Sequence, residues 1–267
     1  LLTEYADILP QSITRLGRTN LIQHKIDVGS SPPIRQQPYR APHPHRREIE
    51  NHVSDMLQAR LIQPSNNPWS APVVLVRKKD VSTRFCVDYH WLHSVTRKDS
   101  YRIPCADDAL DALAGAKYFS TLDLRSGYHQ VEMDKTSQQY TAFATASGLY
   151  EFCVLPFRLR NISLIYLDDI IVFSRTPFSL TIGFRPSTYS YNLTLNPSKC
   201  FFGQQSVLFL GHLISRHGIL PNPEKTQLLH NFPRPRSVKH IRAFLGIARY
   251  YRRFVQYFSS IAALSHD

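Results

Sequence analysis

The sequence is most informative in two stretches, FSTLDLRSGY at residues 119–128 and LIYLDDIIVF at residues 164–173. In the first, a strand-sized run of apolar and β-branched residues ends on Asp123. In the second, two apolar arms flank Asp168 and Asp169, which predicts a short hairpin with both acids at its tip. Both stretches therefore place carboxylates at the ends of strands.

Carboxylates at the ends of neighbouring strands are able to share metal ions. Strands of one sheet lie about 5 Å apart, and two divalent cations about 4 Å apart can stabilise an in-line phosphoryl transfer. Such cations need several oxygen ligands. The alternative is that these acids occupy turns, as acids often do, and bind nothing. Asp107 and Asp108 illustrate this alternative. They fall in the first turn of a helix expected at 107–113, where the positive end of the helix dipole favours acids.

The composition restricts the class of protein. Of the 267 residues 43% are apolar, enough for a core, and no apolar run approaches the roughly 18 residues of a membrane helix. The net charge of +12 favours a polyanion such as nucleic acid as partner, although a solvated basic surface gives the same count. The four cysteines show no C-x-x-C spacing, which argues against a zinc site.

Hydrophobic periodicity predicts the remaining elements. A helix with Ile49, Val53 and Leu61 on its apolar face should end before Pro64. A basic helix should begin near Ser237, a residue type that suits the N-cap. Strands are expected at 73–76, 84–87, 118–122, 130–133, 141–145 and 152–155, and a strand pair at 207–214.

Ordered motifs along nearly the whole chain resemble the polymerase of gypsy-type LTR retrotransposons, a reverse transcriptase. The two acidic stretches resemble the metal-binding motifs of that family. The other matching motifs are PWSAPVVLV (68–76), RFCVDY (84–89), LYEF (149–152), LPF (155–157), LNPSKC (195–200), FLGH (209–212), FLG (244–246) and YYR (250–252). The resemblance implies an α+β fold, a right-hand polymerase with fingers, a palm built on an antiparallel sheet, and a thumb.

The resemblance also implies the catalytic centre. Asp123, Asp168 and Asp169 would be the catalytic acids and would hold two Mg²⁺ ions, for which Mn²⁺ could substitute. The Leu124 carbonyl would be a further metal ligand.

Other matching residues would contact the substrates. Lys78 and Arg84 would bind the incoming triphosphate, since an ammonium and a fork-shaped guanidinium suit phosphate oxygens. Tyr128 would exclude a 2′-hydroxyl, and Phe157 would line the nucleotide site. Without the family context, Lys78 and Arg84 would be interpreted as part of a solvated basic hairpin. Tyr128 and Phe157 would be interpreted as ordinary packing residues. Three further residues complete the set, Lys199 near the leaving pyrophosphate as a general acid, and Leu210 and Gly211 as the primer grip.

The chain departs from the family in three places. Arg158 stands where the family has glycine. Phe157 and Asp168 are 11 residues apart, so the family's helix is missing near residues 161–163, because three helical turns alone need about 11 residues. Residues 177–192 contain two prolines and a glycine where the family has a charged helix. We therefore expect an incomplete palm, from decay of the element or from a faulty gene model.

These observations lead to a division of the chain. Residues 1–44 are expected to be a leader or linker after an upstream protease, 45–215 the fingers and palm, and 216–267 the thumb region. The sequence begins without Met, which indicates a piece of a longer reading frame, and stops before an RNase H domain would start.

The expected function is RNA-directed DNA synthesis by two-metal nucleotidyl transfer onto a primer 3′-hydroxyl. Two alternatives are a catalytically dead, nucleic-acid-binding remnant and a two-metal hydrolase of the phosphatase or nuclease kind. The expected partners are an RNA or DNA template with its primer, dNTPs, and the protease, RNase H and integrase domains of a parent Pol polyprotein, with no membrane. The protein should be intracellular, in a cytoplasmic particle or in the nucleus.

Overall fold

The computed structural model describes residues 16–77, 83–98, 106–157, 159, 169–176 and 192–263, without the side chains of Asn20, Ala106, Asp169 and Ala263. Its helices are α1 (His43–Gln58), α2 (His90–Val95), α3 (Ala106–Asp111), α4 (Pro223–His230), α5 (Val238–Tyr250) and α6 (Phe258–Ala263). Its strands are β1 (Thr19–His24), β2 (Ile62–Pro64), β3 (Ala71–Arg77), β4 (Thr83–Val87), β5 (Tyr118–Asp123), β6 (Val131–Met133), β7 (Phe143–Ala144), β8 (Leu149–Phe152), β9 (Asp169–Ser174), β10 (Phe201–Gln204), β11 (Ser206–Phe209), β12 (His212–Ser215) and β13 (Gly218–Pro221).

The chain forms two compact units. Of the described residues, the first unit comprises 16–77, 83–98, 122–157, 159, 169–170 and 192–200, and the second comprises 106–121, 171–176 and 201–263. Each unit has a hydrophobic core of its own.

A five-stranded sheet with the order β2-β8-β7-β3-β4 forms the centre of the first unit. β3 and β4 pair antiparallel, with Val76 opposite Arg84, which confirms the predicted strand pair. Both strands are rich in β-branched and aromatic residues, which fit a pleated, half-buried surface. Phe143 on β7 and Phe152 on β8 belong to the core of this unit, with 0% and 3% exposure.

The predicted first helix is confirmed as α1, although its end differs from the prediction. The helix begins after Pro42 and buries Val53. It ends at Gln58, because Arg60 takes a left-handed backbone conformation with φ +55°. Leu61, predicted on the apolar face of the helix, lies beyond its end, where it is buried next to β2.

Strand β1 has no counterpart among the predicted strands. It pairs in parallel with β6, and the following Ile26 and Val28 are buried in the core of the first unit. This part of the predicted leader over residues 1–44 therefore belongs to the first unit. The boundaries of the leader and of the other expected domains stay a prediction.

Two expected strands, those at 141–145 and 152–155, are shorter or shifted. β7 covers only Phe143–Ala144, because a 3₁₀ turn occupies Gln138–Thr141. β8 ends at Phe152, and Val154 beyond it forms only an isolated bridge to Glu132. Local sequence did not reveal these 3₁₀ turns and bridges, which depend on partners elsewhere in the chain.

The second unit contains the three-stranded sheet β11-β12-β13 and most of a second one with the order β10-β5-β9. The last two residues of β5 and the first two of β9 belong to the first unit. β10 and β5 pair antiparallel, as do the strands of the β11-β12-β13 sheet. The expected strand pair around Gly211 is thus confirmed as β11 and β12. The predicted boundary between residues 215 and 216 falls in the turn between β12 and β13.

Capping residues define the helices of the second unit. The Ser237 side chain accepts a hydrogen bond from the His240 N–H, which confirms the predicted start of α5. Asn222 caps α4 in the same way through the Glu224 N–H. In the described part of the chain, no helix has both the length and the apolar character needed to cross a membrane.

Several predicted features lie outside the described residues. They include the first arm of the hairpin at 164–173, the site of the missing helix near 161–163, Arg158, and all of 177–192 except Asn192. The second arm of the hairpin is β9, which begins at Asp169.

Candidate active site

Asp123 is the last residue of β5, and its side chain is 22% exposed. Its backbone carbonyl accepts a hydrogen bond of 2.8 Å from the Asn196 N–H. The chain then forms a 3₁₀ turn, Pro197–Lys199. This turn places the Lys199 Nζ atom 3.2 Å from Asp123 Oδ2. The predicted catalytic acid and the predicted proton donor are therefore in direct contact.

The backbone around Leu124 is fixed by an isolated antiparallel bridge with Leu195. The bridge consists of the hydrogen bond to the Asp123 carbonyl and of one from the Arg125 N–H to the Thr194 carbonyl, 3.1 Å long. The Leu124 carbonyl takes part in neither bond. Its oxygen is thus compatible with the predicted role as a metal ligand.

Gln130 holds the loop that follows Asp123. It is fully buried, and its Nε2 donates to the carbonyls of Arg125 and Thr194, both at 2.8 Å. Its Oε1 accepts from the Thr194 N–H at 2.7 Å. The role of Gln130 gives no local signal in the sequence, because nothing near it indicates a partner 64 residues further along the chain.

A cleft of about 680 Å³ lies in the first unit, with Asp123 in its wall. It brings together six of the residues predicted from the sequence, Arg84, Asp123, Leu124, Tyr128, Phe157 and Lys199. Its wall also contains residues that the sequence analysis did not single out, among them His52, Asp55, Ser126, His129 and Asn196. Side chains that are far apart in sequence therefore share one cavity.

An aromatic pair with a cation forms one part of this cleft. The rings of Tyr128 and Phe157 meet edge to face, with centroids 5.5 Å apart. The guanidinium carbon of Arg84 lies 4.8 Å from the centre of the Phe157 ring, a cation–π contact. This arrangement offers apolar surface for a sugar or base and positive charge for phosphate oxygens.

His129 contributes a neutral ring to the cleft. It stacks on Phe152, with centroids 6.5 Å apart. Its Nδ1 is buried, and no described residue forms a hydrogen bond with it. Burial disfavours the charged form and lowers the pKa of His129 from 6.5 to about 4. The imidazole is therefore uncharged near pH 7.

Not all predicted site residues can be placed. Lys78 and Asp168 lie outside the described residues, and of Asp169 only the backbone is described, at the start of β9. Within the described ranges no three His, Cys, Asp or Glu side chains gather in a way that would hold a metal ion. Of the three predicted catalytic acids, the structure thus describes the surroundings of Asp123.

The predicted primer grip is a two-residue turn in the second unit. Leu210 and Gly211 join β11 to β12, and Phe209 pairs with His212 across the turn. Both turn residues have positive φ, +43° at Leu210 and +66° at Gly211. This backbone matches the right-handed twist of a hairpin, but it is unfavourable for leucine.

Helix α5 carries a row of cations. Lys239, Arg242 and Arg249 are exposed and form no ion pair with a described residue. By contrast, Arg253 beyond the helix lies 3.1 Å from an Asp111 carboxylate oxygen. As far as the described part of the chain shows, these three helix cations are available to an external anion.

The sequence matches known proteins along most of its length. The family model described as reverse transcriptase (RNA-dependent DNA polymerase) matches residues 76–161. The Pol polyprotein of transposon 297 from Drosophila melanogaster is 36% identical over 290 aligned positions, which cover 98% of this chain and 27% of that protein. The Pol polyprotein of transposon gypsy from the same species is 33% identical over 242 aligned positions. This alignment covers 80% of this chain and 23% of the gypsy protein. The chain thus spans about a quarter of the length of these curated relatives.

Solved structures with the same fold are also known. A foamy viral protease–reverse transcriptase in complex with double-stranded DNA superposes with a TM-score of 0.85 at 23% identity, covering 97% of this chain and 50% of that one. A second structure, in complex with an RNA/DNA hybrid, gives a TM-score of 0.80, also at 23% identity, covering 97% of this chain and 38% of that one. The expected right-hand polymerase fold is therefore confirmed. Together with the ordered motifs and the sequence matches, it shows that the chain belongs to the reverse transcriptase family, as found in the Pol polyproteins of retrotransposons.

Proposed function

We propose that this chain carries out RNA-directed DNA synthesis, adding deoxynucleotides to a primer 3′-hydroxyl. The observation that carries the proposal is the cleft of the first unit, in which six residues of the predicted site come together. Family membership argues in the same direction, and it argues against the two-metal hydrolase. A nucleotide pocket with Arg84, Tyr128 and Phe157 is more than hydrolysis of a phosphate ester needs.

The reaction forms a bond between the primer 3′-oxygen and the α-phosphorus of a dNTP. The bond from that phosphorus to the bridging oxygen of the β-phosphate breaks, so pyrophosphate leaves and the 3′-hydroxyl loses its proton. The oxygens of Asp123 and Leu124, with those of Asp168 and Asp169, would hold divalent cations, two Mg²⁺ or Mn²⁺ ions. Such cations supply positive charge at the attacking and the leaving oxygen. The described donors are hard oxygens, which these cations prefer.

Arg84, Tyr128 and Phe157 would receive the nucleotide. The exposed guanidinium of Arg84 can donate two parallel hydrogen bonds to phosphate oxygens, and its contact with Phe157 restricts its position. Lys78 would add a second cation on the same strand pair. The Tyr128 ring would lie against the sugar and leave no room for a 2′-hydroxyl, which would make DNA the product.

Lys199 would have two roles, as an ion-pair partner of Asp123 and as a proton donor. In the structure its ammonium group neutralises part of the Asp123 carboxylate charge at 3.2 Å. In the reaction the Lys199 Nζ atom would act as a general acid and give a proton to the leaving pyrophosphate.

The second unit would bind the primer–template duplex. Lys239, Arg242 and Arg249 of α5 would contact backbone phosphates, and the Leu210–Gly211 turn would hold the primer end. The two structural neighbours are complexes, one with double-stranded DNA and one with an RNA/DNA hybrid. We also propose the predicted division into fingers and palm at 45–215 and thumb at 216–267. In the parent Pol polyprotein, this chain would be joined to the protease, RNase H and integrase domains.

A primer-extension assay tests the proposal. The purified 267-residue chain is mixed with a labelled DNA primer on an RNA template, dNTPs and Mg²⁺, and in a parallel arm Mn²⁺. We expect template-dependent extension, and we expect Asp123→Asn to lower its rate by at least about 1000-fold, because a preorganised charge at the reacting centre is lost. Asp108→Asn is the matched control, since Asp108 is exposed in the first turn of α3, and it should leave the rate unchanged.

The alternative is a catalytically dead remnant that still binds nucleic acid. It is favoured by the 11 residues between Phe157 and Asp168. In addition, the alignment with the transposon 297 protein spans 290 positions, more than the 267 residues of this chain, so that relative contains residues without a counterpart here. Duplex binding without any extension in Mg²⁺ or Mn²⁺ would support the remnant and contradict the polymerase. Absence of both binding and extension would contradict both.

A further inference from the structure

The turn at Leu210–Gly211 is held by more than its own hairpin. The Leu210 carbonyl accepts two hydrogen bonds, from the Tyr250 hydroxyl at 2.6 Å and from His212 Nδ1 at 2.7 Å. The Gly211 carbonyl accepts a third, from the Tyr251 hydroxyl at 2.9 Å. Both carbonyls of the two-residue turn are therefore fixed by side chains.

One of these hydrogen bonds comes from a buried histidine, His212. Because a carbonyl only accepts, the Nδ1 atom of His212 is the donor in its hydrogen bond to Leu210. His212 is 3% exposed, and its ring centroid lies 5.4 Å from the rings of Tyr250 and Tyr251 and 5.7 Å from that of Phe254. The ring that supports the turn is thus itself clamped between aromatic side chains.

The packing around Gly211 leaves little room for adjustment. A Cβ atom added at this position would lie 3.3 Å from Cε1 of Tyr250 and 3.6 Å from the Tyr251 hydroxyl oxygen. Leu210 meanwhile keeps a left-handed backbone with φ +43°. Such a conformation costs a non-glycine residue free energy, so it persists only where the surroundings enforce it.

The two tyrosines belong to the end of the basic helix. Tyr250 is the last residue of α5, and Tyr251 follows as its C-cap. The helix that carries Lys239, Arg242 and Arg249 is therefore joined by two hydroxyl groups to the turn at 210–211. A shift of the helix along its axis would move the carbonyls of the turn with it.

We propose that Tyr250, Tyr251 and His212 are positioning residues, which lock the Leu210–Gly211 turn to the end of α5 and so set the position of the primer 3′ end. The inference rests on the proposed function, because it takes the turn as the site that contacts the primer. It adds the groups that hold this turn and a direct mechanical link from the phosphate-binding helix to it.

The test removes single hydroxyl groups. The variants are Tyr250→Phe, Tyr251→Phe and the double variant, each in the full chain, with Tyr257→Phe as control. Tyr257 is 74% exposed, and its hydroxyl makes no hydrogen bond to a described residue. Tyr250 is 50% exposed, so its variant is expected to fold normally, and thermal unfolding of every variant checks this.

Two measurements are made on each variant. Hydrogen exchange of peptides covering residues 209–213 reports how firmly the turn is held, without need for activity. Single-turnover extension of a pre-bound primer gives the rate of nucleotide addition and the apparent dNTP affinity. We expect faster exchange in 209–213 alone, and a rate lowered about 10-fold in each single variant with unchanged dNTP affinity, because small displacements of reacting atoms lower the rate steeply.

The outcomes separate this inference from the proposed function. Unchanged exchange in Tyr250→Phe and Tyr251→Phe would overturn the lock. Faster exchange with a wild-type extension rate would overturn the positioning role and leave the proposed function intact. If the wild-type chain adds no nucleotide, the proposed function fails and the positioning role fails with it, while the lock on the turn is still decided by exchange. A fall in dNTP affinity with an unchanged rate would also contradict the inference, because it would indicate a general distortion of the protein.

Discussion

His129 shows how one side chain in the cleft makes stability depend on pH. Its pKa is about 4 in the folded chain, against 6.5 without burial. As the pH falls from 6.5 to 4, the unfolded chain takes up a proton at this residue and the folded chain does not. The free energy of unfolding should therefore fall by up to about 3 kcal/mol as the pH is lowered over this range. At pH values above or below the range, protonation of His129 should add no further pH dependence.

The comparison that isolates this effect is with His129→Gln, which is neutral at every pH. Urea unfolding of both proteins at about pH 7.5, 6.5, 5.5 and 4.5 gives the difference directly, since contributions of carboxylates are common to both. The difference in unfolding free energy should shrink as the pH is lowered. Parallel pH profiles of the two proteins would show that His129 is not held neutral.

Tyr128 is the residue that would decide between deoxyribose and ribose. Its ring is fixed edge to face against Phe157 in the cleft. Tyr128→Ala should raise the ratio of kcat/KM for a ribonucleotide to that for the matching dNTP by about 10- to 100-fold, the usual range for opening a pocket by a small group. Tyr128→Phe keeps the ring and should keep the discrimination. Equal ratios in wild type and Tyr128→Ala would show that another residue excludes the 2′-hydroxyl.

At the scale of the element, Gln130 connects the loop after β5 to the segment before Lys199. Replacement by leucine would leave the Thr194 N–H and the carbonyls of Arg125 and Thr194 without the Gln130 amide as their partner in a buried place. We expect Gln130→Leu to lower the free energy of unfolding by about 2–4 kcal/mol. The extension rate should fall as well, because the same loop fixes the backbone next to Asp123.

Gln139→Leu is the matched control for this prediction. Its Nε2 makes one exposed hydrogen bond of 3.0 Å, to the Thr136 carbonyl, so its loss should change stability by no more than about 0.5 kcal/mol. Urea denaturation of both variants measures the difference. If Gln130→Leu were as stable as the control, the three hydrogen bonds of Gln130 would provide no net stabilisation.

The elements that local sequence predicts well are those whose signals are local. α5 has an N-cap at Ser237 and a regular apolar face. β3 and β4 are short runs rich in β-branched and aromatic residues. β1 gives no such signal, because what makes it a strand is its parallel pairing with β6, more than a hundred residues later. Gln130 was missed for the same reason.

The residues of the candidate site came from ordered motifs along the chain, and their roles stay a prediction. By type alone, only the carboxylate of Asp123 at a strand end suggested a site. The resemblance of the surrounding motifs added Arg84 and Tyr128, which line the same cleft. Whether a histidine is buried, and whether it is neutral, depends on all the residues packed around it. The neutrality of His129 and the aromatic surroundings of His212 could therefore not be predicted from the sequence.

At the scale of the whole molecule, the net charge of +12 predicts salt-dependent binding of nucleic acid. Each phosphate that a Lys or Arg neutralises releases counterions, so the logarithm of the binding constant falls linearly with the logarithm of salt concentration. Lys239, Arg242 and Arg249 are three exposed cations on one helix. Replacing all three by glutamine should reduce the magnitude of this slope by about 2 to 3, close to one for each phosphate that the helix no longer neutralises.

The control for net charge is a triple variant in the first unit, Lys25→Gln, Lys98→Gln and Lys135→Gln, whose three lysines are all exposed. Both triple variants lower the formal charge by the same amount, so a general attraction of the basic protein to DNA would change the two slopes equally. Fluorescence anisotropy with a primer–template duplex between roughly 50 and 300 mM salt, the range in which such slopes are resolved, compares them. A slope that changes in the α5 variant and not in the control means that the helix itself contacts the phosphates. Equal slopes would mean that the charge acts only as a whole and that α5 is a packing helix.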